Sequence, residues 1–158
     1  MLDLIIKNGK CYIDEELKDA DVGVKDGKIL QIGQISDEAK ETINAEGQTV
    51  LPGCIDTQTH FREPGSTDTE DLHSGSRAAI VGGITSVFEM PNPNPPTSTK
   101  IEFQKKLDLA RNRMFCNYAF YFGAEKDNRA EIKKVEKEDG CCGIKVFVGI
   151  STGTLLVE

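Results

Sequence analysis

The pattern of apolar and polar positions changes character near residue 51. Before that point the apolar residues fall in short runs without helical spacing. The pair Asp26–Gly27 is a strong signal for a tight hairpin turn between two such runs. Residues 1–50 are therefore predicted to be a β-rich segment, with extended runs at Leu2–Asn8, Asp21–Val24, Lys28–Ile32 and Ile43.

From residue 51 to 158 strand patterns alternate with helix patterns. The predicted strands are Thr49–Ile55, Ile84–Met90, Cys116–Phe122 and Gly143–Ile150. The predicted helices are Thr69–Val81, a segment from Thr99 to Met114, and Asn128–Glu138. Such alternation indicates an α/β fold, in which right-handed crossovers join parallel strands.

Three strand–helix units and a fourth strand are about half of a closed (β/α)8 barrel, which needs about 250 residues. The chain has 158 residues. Two interpretations follow from this count. The chain is either the N-terminal portion of a larger barrel protein or a small open-sheet α/β binding module that is complete.

Composition excludes several functional classes. With 19 basic and 26 acidic residues and a net charge of −7, the chain is not suited to sequence-independent nucleic-acid binding. No apolar run approaches the roughly 20 residues that span a bilayer, and the N-terminus has no signal-peptide pattern. Five cysteines without a CxxC pair are typical of reduced thiols, so a cytoplasmic location is predicted.

The residue types that can carry chemistry concentrate in the segment 51–65, which reads LPGCIDTQTHFREPG. A polar cluster after a buried strand is where an α/β barrel places its active site. His60 is a candidate zinc ligand, because neutral imidazole binds zinc well. Gln58 shares its face of an extended segment, but an amide oxygen suits magnesium or calcium better than zinc. Asp56 either orients these two side chains or hydrogen-bonds local backbone.

Two later positions leave alternatives open. Asn92 lies in the loop PNPNPP, where it either contacts a substrate or simply forms a turn. Lys145 lies in the apolar run GIKVFVGI, where burial favours a neutral amine that can react with carbon dioxide to give a carbamate. The alternative for Lys145 is a packed stem with an ammonium group that reaches solvent.

The segment 51–65 resembles the signature of the cyclic amidohydrolases, and most of all the dihydroorotase pattern D-x-H-x-H-F-R-E-P-G. The runs MPN at 90–92 and IKVF at 144–147 extend the resemblance. Gln58 stands where that family usually has its first metal-binding His. The resemblance implies that His60 binds metal, that Arg62 and Asn92 hold a substrate carboxylate, and that a carbamylated Lys145 bridges two metal ions.

The implied fold is the N-terminal half of a (β/α)8 TIM-like barrel (51–158), preceded by half of a composite β-sandwich (1–50). The implied activity is the reversible hydrolysis of dihydroorotate to N-carbamoyl-L-aspartate in pyrimidine biosynthesis. It uses one or two zinc ions, and Gln58 weakens the second site. The family's general acid/base and two further His ligands are expected beyond Glu158, so the chain alone is predicted to be catalytically inactive.

Other functions remain as alternatives. A hydantoinase or allantoinase type of cyclic amidase is one, although Arg62 then has no substrate carboxylate to hold. Gln58 leaves open a mononuclear enzyme, a binuclear enzyme with an unusual ligand, and a non-catalytic homologue. The last of these would act as a structural partner, with aspartate transcarbamoylase as the candidate. A homo-oligomer is a further expectation.

Overall fold

The computed structural model describes residues 1–149 and 155–157, and the chain divides into two compact units, Met1–Pro52 and Gly53–Glu158. Each unit has its own β-sheet. All five cysteines are free thiols. Among the helices of the described residues, none has both the length and the apolar character needed to cross a bilayer.

The first unit is a β-sheet with the strand order β3-β2-β1-β4, in which β5 also pairs with β1. Asp26 and Gly27 both have positive φ, 50° and 73°, as the turn of a two-residue hairpin requires. The predicted β-rich character and the hairpin are therefore confirmed. The strands are β1 (Leu2–Ile13), β2 (Glu16–Lys25), β3 (Lys28–Gly33), β4 (Ala39–Asn44) and β5 (Thr49–Val50).

The second unit is a four-stranded sheet in the order β6-β7-β8-β9, and every neighbouring pair is parallel. A helix follows each of the first three strands, so the predicted α/β fold is confirmed. The elements are β6 (Cys54–Thr59), α1 (Leu72–Val81), β7 (Ile84–Glu89), α2 (Lys100–Ala110), β8 (Asn117–Gly123), α3 (Arg129–Val135) and β9 (Cys141–Lys145).

One face of this second sheet is covered by the helices. Val87, Phe120 and Phe122 on the strands form one buried cluster with Leu72 and Phe103 on the helices. Burying side chains of this size contributes roughly 1.5–3 kcal/mol each. The opposite face of the sheet is open in the described residues, and Ile55 is 60% exposed there.

The predicted strand Thr49–Ile55 is wrong, because strands of two different sheets occupy it. Thr49–Val50 pairs with β1, whereas Cys54 begins β6. Pro52 between them has no N–H to continue a ladder. At Gly53 an added Cβ would lie 2.3 Å from the Thr85 side chain of β7, so only glycine fits at this position. In consequence, Asp56 and Gln58 lie inside β6 and not after it.

The predicted helices are present, with different ends. α1 begins at Leu72, later than predicted, because Asp71 is its N-cap and accepts a hydrogen bond from the Ser74 N–H at 2.6 Å. α2 begins after Thr99, which accepts from the Glu102 N–H at 3.2 Å, as the capping spacing predicted. It ends at Ala110, before the predicted Met114.

The last helix and strand are shorter than predicted. α3 covers Arg129–Val135 and not Asn128–Glu138, and β9 covers Cys141–Lys145 and not Gly143–Ile150. Ile150 and the polar segment that follows it, 151–154, lie outside the described residues.

Candidate functional site

The candidate site lies at the carboxyl edge of the second sheet, defined here as the carboxyl ends of β6 to β9 and the loops that follow them. Gln58 is near the end of β6, His60 follows it, Asn92 follows β7, and Lys145 is the last residue of β9. Parallel strands bring these ends to one edge of the sheet, where α/β proteins bind their ligands.

His60 and Asn92 contact each other across the first two loops of the carboxyl edge. The His60 Nδ1 and Asn92 Oδ1 atoms are 2.9 Å apart. An amide oxygen only accepts hydrogen bonds, so the contact places a proton on Nδ1 and leaves the Nε2 lone pair for a ligand. A histidine held through one ring nitrogen is the usual arrangement for a metal ligand.

Gln58 is exposed near the end of β6, and its backbone N–H donates to Asp56 Oδ1 at 2.9 Å. Asp56 therefore hydrogen-bonds the local backbone, which is one of the two interpretations of this residue. The sheet register shifts between Asp56 and Thr59, which pair with the buried Val87 and Glu89. Asp56, in register with Val87, therefore faces the helices, and the irregularity after it places Gln58 on the other face of the strand.

Lys145 is half-buried at the end of β9. Its register partner is Gly123, while the neighbouring Ile144 packs on the helix-side cluster. Lys145 therefore projects from the open face of the sheet. Its Nζ lies 5.1 Å from the centre of the Phe147 ring, a cation–π distance. Among the described residues, Lys145 is therefore neither fully buried nor fully exposed, and its modification to a carbamate stays a prediction.

Arg62 lies on the surface between two buried neighbours, Phe61 (8% exposed) and Glu63 (7% exposed). The Phe61 ring packs against α1 at Gly75, where an added Cβ would come within 2.5 Å of ring atom Cδ1. The backbone is thus anchored on both sides of Arg62, whose own side chain is exposed.

Glu63 is the most heavily bonded residue of this loop. Its carboxylate accepts from the Arg113 guanidinium at 2.7 and 3.1 Å and from the Leu72 N–H at 2.9 Å. Burial acts to raise the pKa of Glu63, but these hydrogen bonds outweigh burial and hold the pKa below its usual range. The sequence analysis does not single out this role of Glu63.

Beneath the loop lies a buried ion pair between Lys106 on α2 and Glu89 at the end of β7. Lys106 is 2% exposed and Glu89 is 1% exposed. Lys106 Nζ donates to Glu89 Oε1 at 2.9 Å, and Oε2 lies at 2.8 Å without hydrogen-bond geometry. The same ammonium group donates to the backbone carbonyl of Glu63. The pair therefore joins a strand, a helix and the loop that carries Arg62.

Burial dominates the protonation of this pair. It raises the pKa of Glu89 to about 7, against the attraction of Lys106. It lowers the pKa of Lys106, against the attraction of Glu89. One local signal in the sequence indicates this pair, because Lys106 lies between Phe103 and Ala110 on the apolar face of the helix.

The described residues supply only part of a metal site. Among them, no group of three or more His, Cys, Asp or Glu side chains is close enough together to hold a metal ion. His60 fits the chemistry of a zinc ligand, Gln58 is a weak neutral donor, and Lys145 lacks metal affinity unless it is modified. A complete site needs donors in addition to these three.

A pocket with a volume of about 590 Å³ lies elsewhere in the second unit. It lies beside α2 and the amino-terminal part of β8, and its lining includes Leu107, Arg111 and Tyr118. None of the candidate site residues lines it, so it does not alter the choice of the carboxyl edge.

Comparison with known proteins supports the family suggested by the motif. Residues 49–146 match the model of the amidohydrolase family. An allantoinase of Escherichia coli O1:K1 is 40% identical over 147 residues, which is 92% of this chain and 32% of that protein. The chain thus spans about a third of the length of the curated relatives it matches.

Solved structures give the same result. An L-hydantoinase (dihydropyrimidinase) from Arthrobacter aurescens superposes with a TM-score of 0.90 at 33% identity, covering 99% of this chain and 35% of the other. A dihydropyrimidinase from Brevibacillus agri superposes with a TM-score of 0.83 at 27% identity, over 100% of this chain and 35% of the other. The predicted fold class, the first part of a barrel preceded by a β-rich segment, is confirmed. These names agree with the alternative in the sequence analysis better than with dihydroorotase.

Proposed function

The chain belongs to the amidohydrolase family, and from this premise we propose that the protein hydrolyses a cyclic amide of the hydantoin type, with allantoin as the first candidate. The observation that carries the proposal is the 40% identity to an allantoinase over 92% of the chain. The L-hydantoinase superposition at a TM-score of 0.90 supports the same substrate class. Because the chain spans about a third of such relatives, the activity is proposed for the full-length protein encoded by the gene.

In the proposed reaction, water adds across the ring C–N bond. The carbonyl carbon becomes a carboxylate, and the ring nitrogen leaves with a proton as part of a ureido group. A bound zinc ion would supply Lewis acidity toward the ring carbonyl and lower the pKa of water. The proton donor for the leaving nitrogen is expected in the part of the protein beyond residue 158.

Each residue of the carboxyl edge has a role in this proposal. His60 presents Nε2 to the metal, while Asn92 fixes its ring through the 2.9 Å contact at Nδ1. Gln58 and Lys145 are the further donors that this chain contributes, the latter as a carbamate. The proposal includes one or two zinc ions, and the weaker donor Gln58 favours one.

A dihydroorotase activity is the second candidate, and the observation that favours it is the exposed Arg62, two residues after His60 in the same loop. Dihydroorotate carries a carboxylate, which a guanidinium group binds through two parallel hydrogen bonds. Allantoin and hydantoin have no such group. A requirement for Arg62 would therefore distinguish the hydrolysis of dihydroorotate from that of allantoin or hydantoin.

The test is a hydrolysis assay of the full-length, zinc-loaded protein with allantoin, hydantoin, dihydrouracil and dihydroorotate. The proposal expects turnover of allantoin or hydantoin, with little change in Arg62→Met. Turnover of dihydroorotate that Arg62→Met removes, while the matched surface variant Arg77→Met retains it, supports the second candidate. Failure to hydrolyse any of the four by a folded, zinc-loaded protein contradicts both and leaves the non-catalytic homologue.

Location and partners remain proposals. The free cysteines are consistent with a reducing compartment, and we propose the cytoplasm. Association with aspartate transcarbamoylase belongs to the non-catalytic homologue and is proposed only if none of the four substrates is hydrolysed. A homo-oligomer is a further proposal, and sedimentation of the full-length protein measures it.

A further inference from the structure

A buried cation, the ammonium group of Lys106, binds the main chain of the segment 60–66, which is called here the Arg62 loop. Lys106 is the seventh residue of α2 and is 2% exposed. Its ammonium group donates both to the Glu63 backbone carbonyl and to Glu89. Burying an ammonium group costs several kcal/mol unless it is paired. A lysine retained at such a position therefore needs a reason that an apolar residue would not satisfy.

The need to neutralise Glu89 does not by itself explain why position 106 is a lysine. Burial alone favours the protonated form of Glu89, and an apolar pair of similar volume often replaces a buried ion pair without loss of stability. An apolar pair does not reproduce the hydrogen bond to the Glu63 carbonyl. That bond acts on the backbone directly after Arg62.

The other anchors of the Arg62 loop act at different points. Arg113 and the Leu72 N–H hold the Glu63 side chain, and Phe61 packs at Gly75.

The main chain of the loop has a backbone hydrogen bond on either side of Glu63, from the Ser66 N–H to the Arg62 carbonyl at 2.9 Å and from the Asn94 N–H to the Pro64 carbonyl at 3.3 Å. Lys106 adds a further main-chain bond at the Glu63 carbonyl, which lies between them in the sequence. The direction of the Arg62 side chain depends on this main-chain conformation.

We infer that Lys106 is a positioning residue, which fixes the backbone of the Arg62 loop through the Glu63 carbonyl so that His60 and Arg62 face the carboxyl edge. Glu89 holds the ammonium group in place for this task. The importance of His60 and Arg62 rests on the proposed function, whereas the tether itself does not. The experiment therefore measures the opening of the loop first and enzyme activity second.

The chain offers a matched set of variants. Lys106→Met removes the tether and leaves Glu89 unpaired. Glu89→Gln/Lys106→Met removes both charges at similar volume, so stability returns but the tether does not. Lys105→Met is the control, because Lys105 is the neighbouring lysine of α2 and lies exposed, paired with Glu102 at 2.8 Å. None of these changes alters the sequence of the loop.

Trypsin measures the opening of the loop, since it cleaves after Arg62 only when the surrounding backbone leaves its native conformation. The product ending at Arg62 is compared by mass spectrometry with the product ending at Lys28, which lies in the other unit. We expect cleavage after Arg62 to rise about tenfold or more in Lys106→Met and in the double variant, as local opening becomes easier. Cleavage after Lys28 is expected to be unchanged in the double variant and in Lys105→Met.

A purely structural role of Lys106 gives a different result. The double variant would then recover both its stability and the native protection of Arg62, and this outcome would overturn the inference. If Lys106→Met does not fold, the double variant alone decides between the two results. In the active full-length protein, the double variant is expected to raise KM about threefold or more with a smaller change in kcat, because fewer molecules have the competent loop. Increased cleavage after Arg62 in a protein without activity contradicts the proposed function and not the tether.

Discussion

Asn92 holds the imidazole of His60 through a contact of 2.9 Å between Oδ1 and Nδ1, which joins the loops after β6 and β7. The contact fixes which ring nitrogen is protonated, so Nε2 is the atom available for a metal. An asparagine in a proline-rich loop is thereby part of the site through its neighbour, whether or not it also touches substrate.

Replacement of Asn92 is expected to weaken zinc binding by the full-length protein. Asn92→Ala removes the acceptor for Nδ1 and should lower the zinc affinity about 10- to 100-fold, as losses of such supporting partners do. Asn92→Asp keeps an acceptor and should retain most of the affinity. Competition with a chromogenic chelator measures the dissociation constants.

The control is Asn94→Ala in the same loop, where Asn94 is exposed. It should bind zinc as the unchanged protein does. Equal affinities for Asn92→Ala and Asn94→Ala would show that the His60 ring is oriented without Asn92.

A second histidine at position 58 is expected to strengthen metal binding. Gln58 and His60 lie two residues apart at the end of β6, and Gln58 is exposed. Gln58→His replaces a weak neutral oxygen donor with imidazole, which zinc prefers. The expected result is a zinc affinity raised by about tenfold or more and a larger zinc content per chain by mass spectrometry, in keeping with a gained ligand.

Gln58→Asn serves as its control, because it changes the length of the side chain without adding a nitrogen donor. If both variants hold the same amount of zinc as the unchanged protein, position 58 does not face the metal. The resemblance to an H-x-H motif then has no chemical meaning at this position.

Local signals were sufficient for much of the fold. The Asp26–Gly27 turn and the Thr99 cap of α2 follow from interactions within a few residues, and both are present. The break inside the predicted strand Thr49–Ile55 has one local sign, Pro52, which cannot donate to a strand ladder. The close contact of Gly53 with Thr85, which is 32 residues further along the chain, is not visible in any pattern within residues 49–55.

The candidate site was predictable as a location and less so as a set of contacts. A motif located Gln58, His60, Arg62, Asn92 and Lys145, and the parallel sheet brings their strand ends to one edge. The partnership of Lys106 with Glu63 spans 43 positions, and burial of both groups depends on the packed core. Only the position of Lys106 on the apolar face of α2 gave a local sign of it.

Close packing between Phe61 and α1 gives a prediction for stability. Gly75→Ala adds a Cβ that would lie 2.5 Å from Phe61 Cδ1, so the ring must shift. We expect a loss of about 1–3 kcal/mol in the free energy of unfolding, as overpacking typically causes. Urea denaturation followed by circular dichroism measures it.

Gly82→Ala is the matched control, because an added Cβ there would approach Ala79 O no closer than 3.4 Å and φ is −80°. It should leave stability unchanged or raise it by up to about 1 kcal/mol, since alanine restricts the unfolded chain. A Gly75→Ala variant as stable as Gly82→Ala would mean that Phe61 does not anchor the loop beside Arg62.

The buried Glu89 predicts a specific dependence of stability on pH. Burial raises its pKa from 4.5 to about 7 in the folded protein, with further repulsion from Glu63 and Glu70 against the attraction of Lys106. The folded state therefore keeps a proton that the unfolded state has already lost between these two values. Stability should fall as the pH rises from 4.5 to 7, with a slope of up to about 1.4 kcal/mol per pH unit.

The other titratable groups of the cluster, Glu63 and Lys106, change the stability in the opposite direction or over a different pH range. The lowered pKa of Glu63 stabilises the fold above 4.5, and this contribution is lost only as the pH falls through the folded pKa. The lowered pKa of Lys106 makes stability rise as the pH climbs toward 10.5. Urea midpoints at half-unit steps of pH, measured for the unchanged protein, for Glu89→Gln and for the half-buried control Glu102→Gln, isolate the contribution of Glu89. The slope between pH 4.5 and 7 should disappear only in Glu89→Gln, because glutamine does not titrate; a slope that persists there assigns the proton to another group.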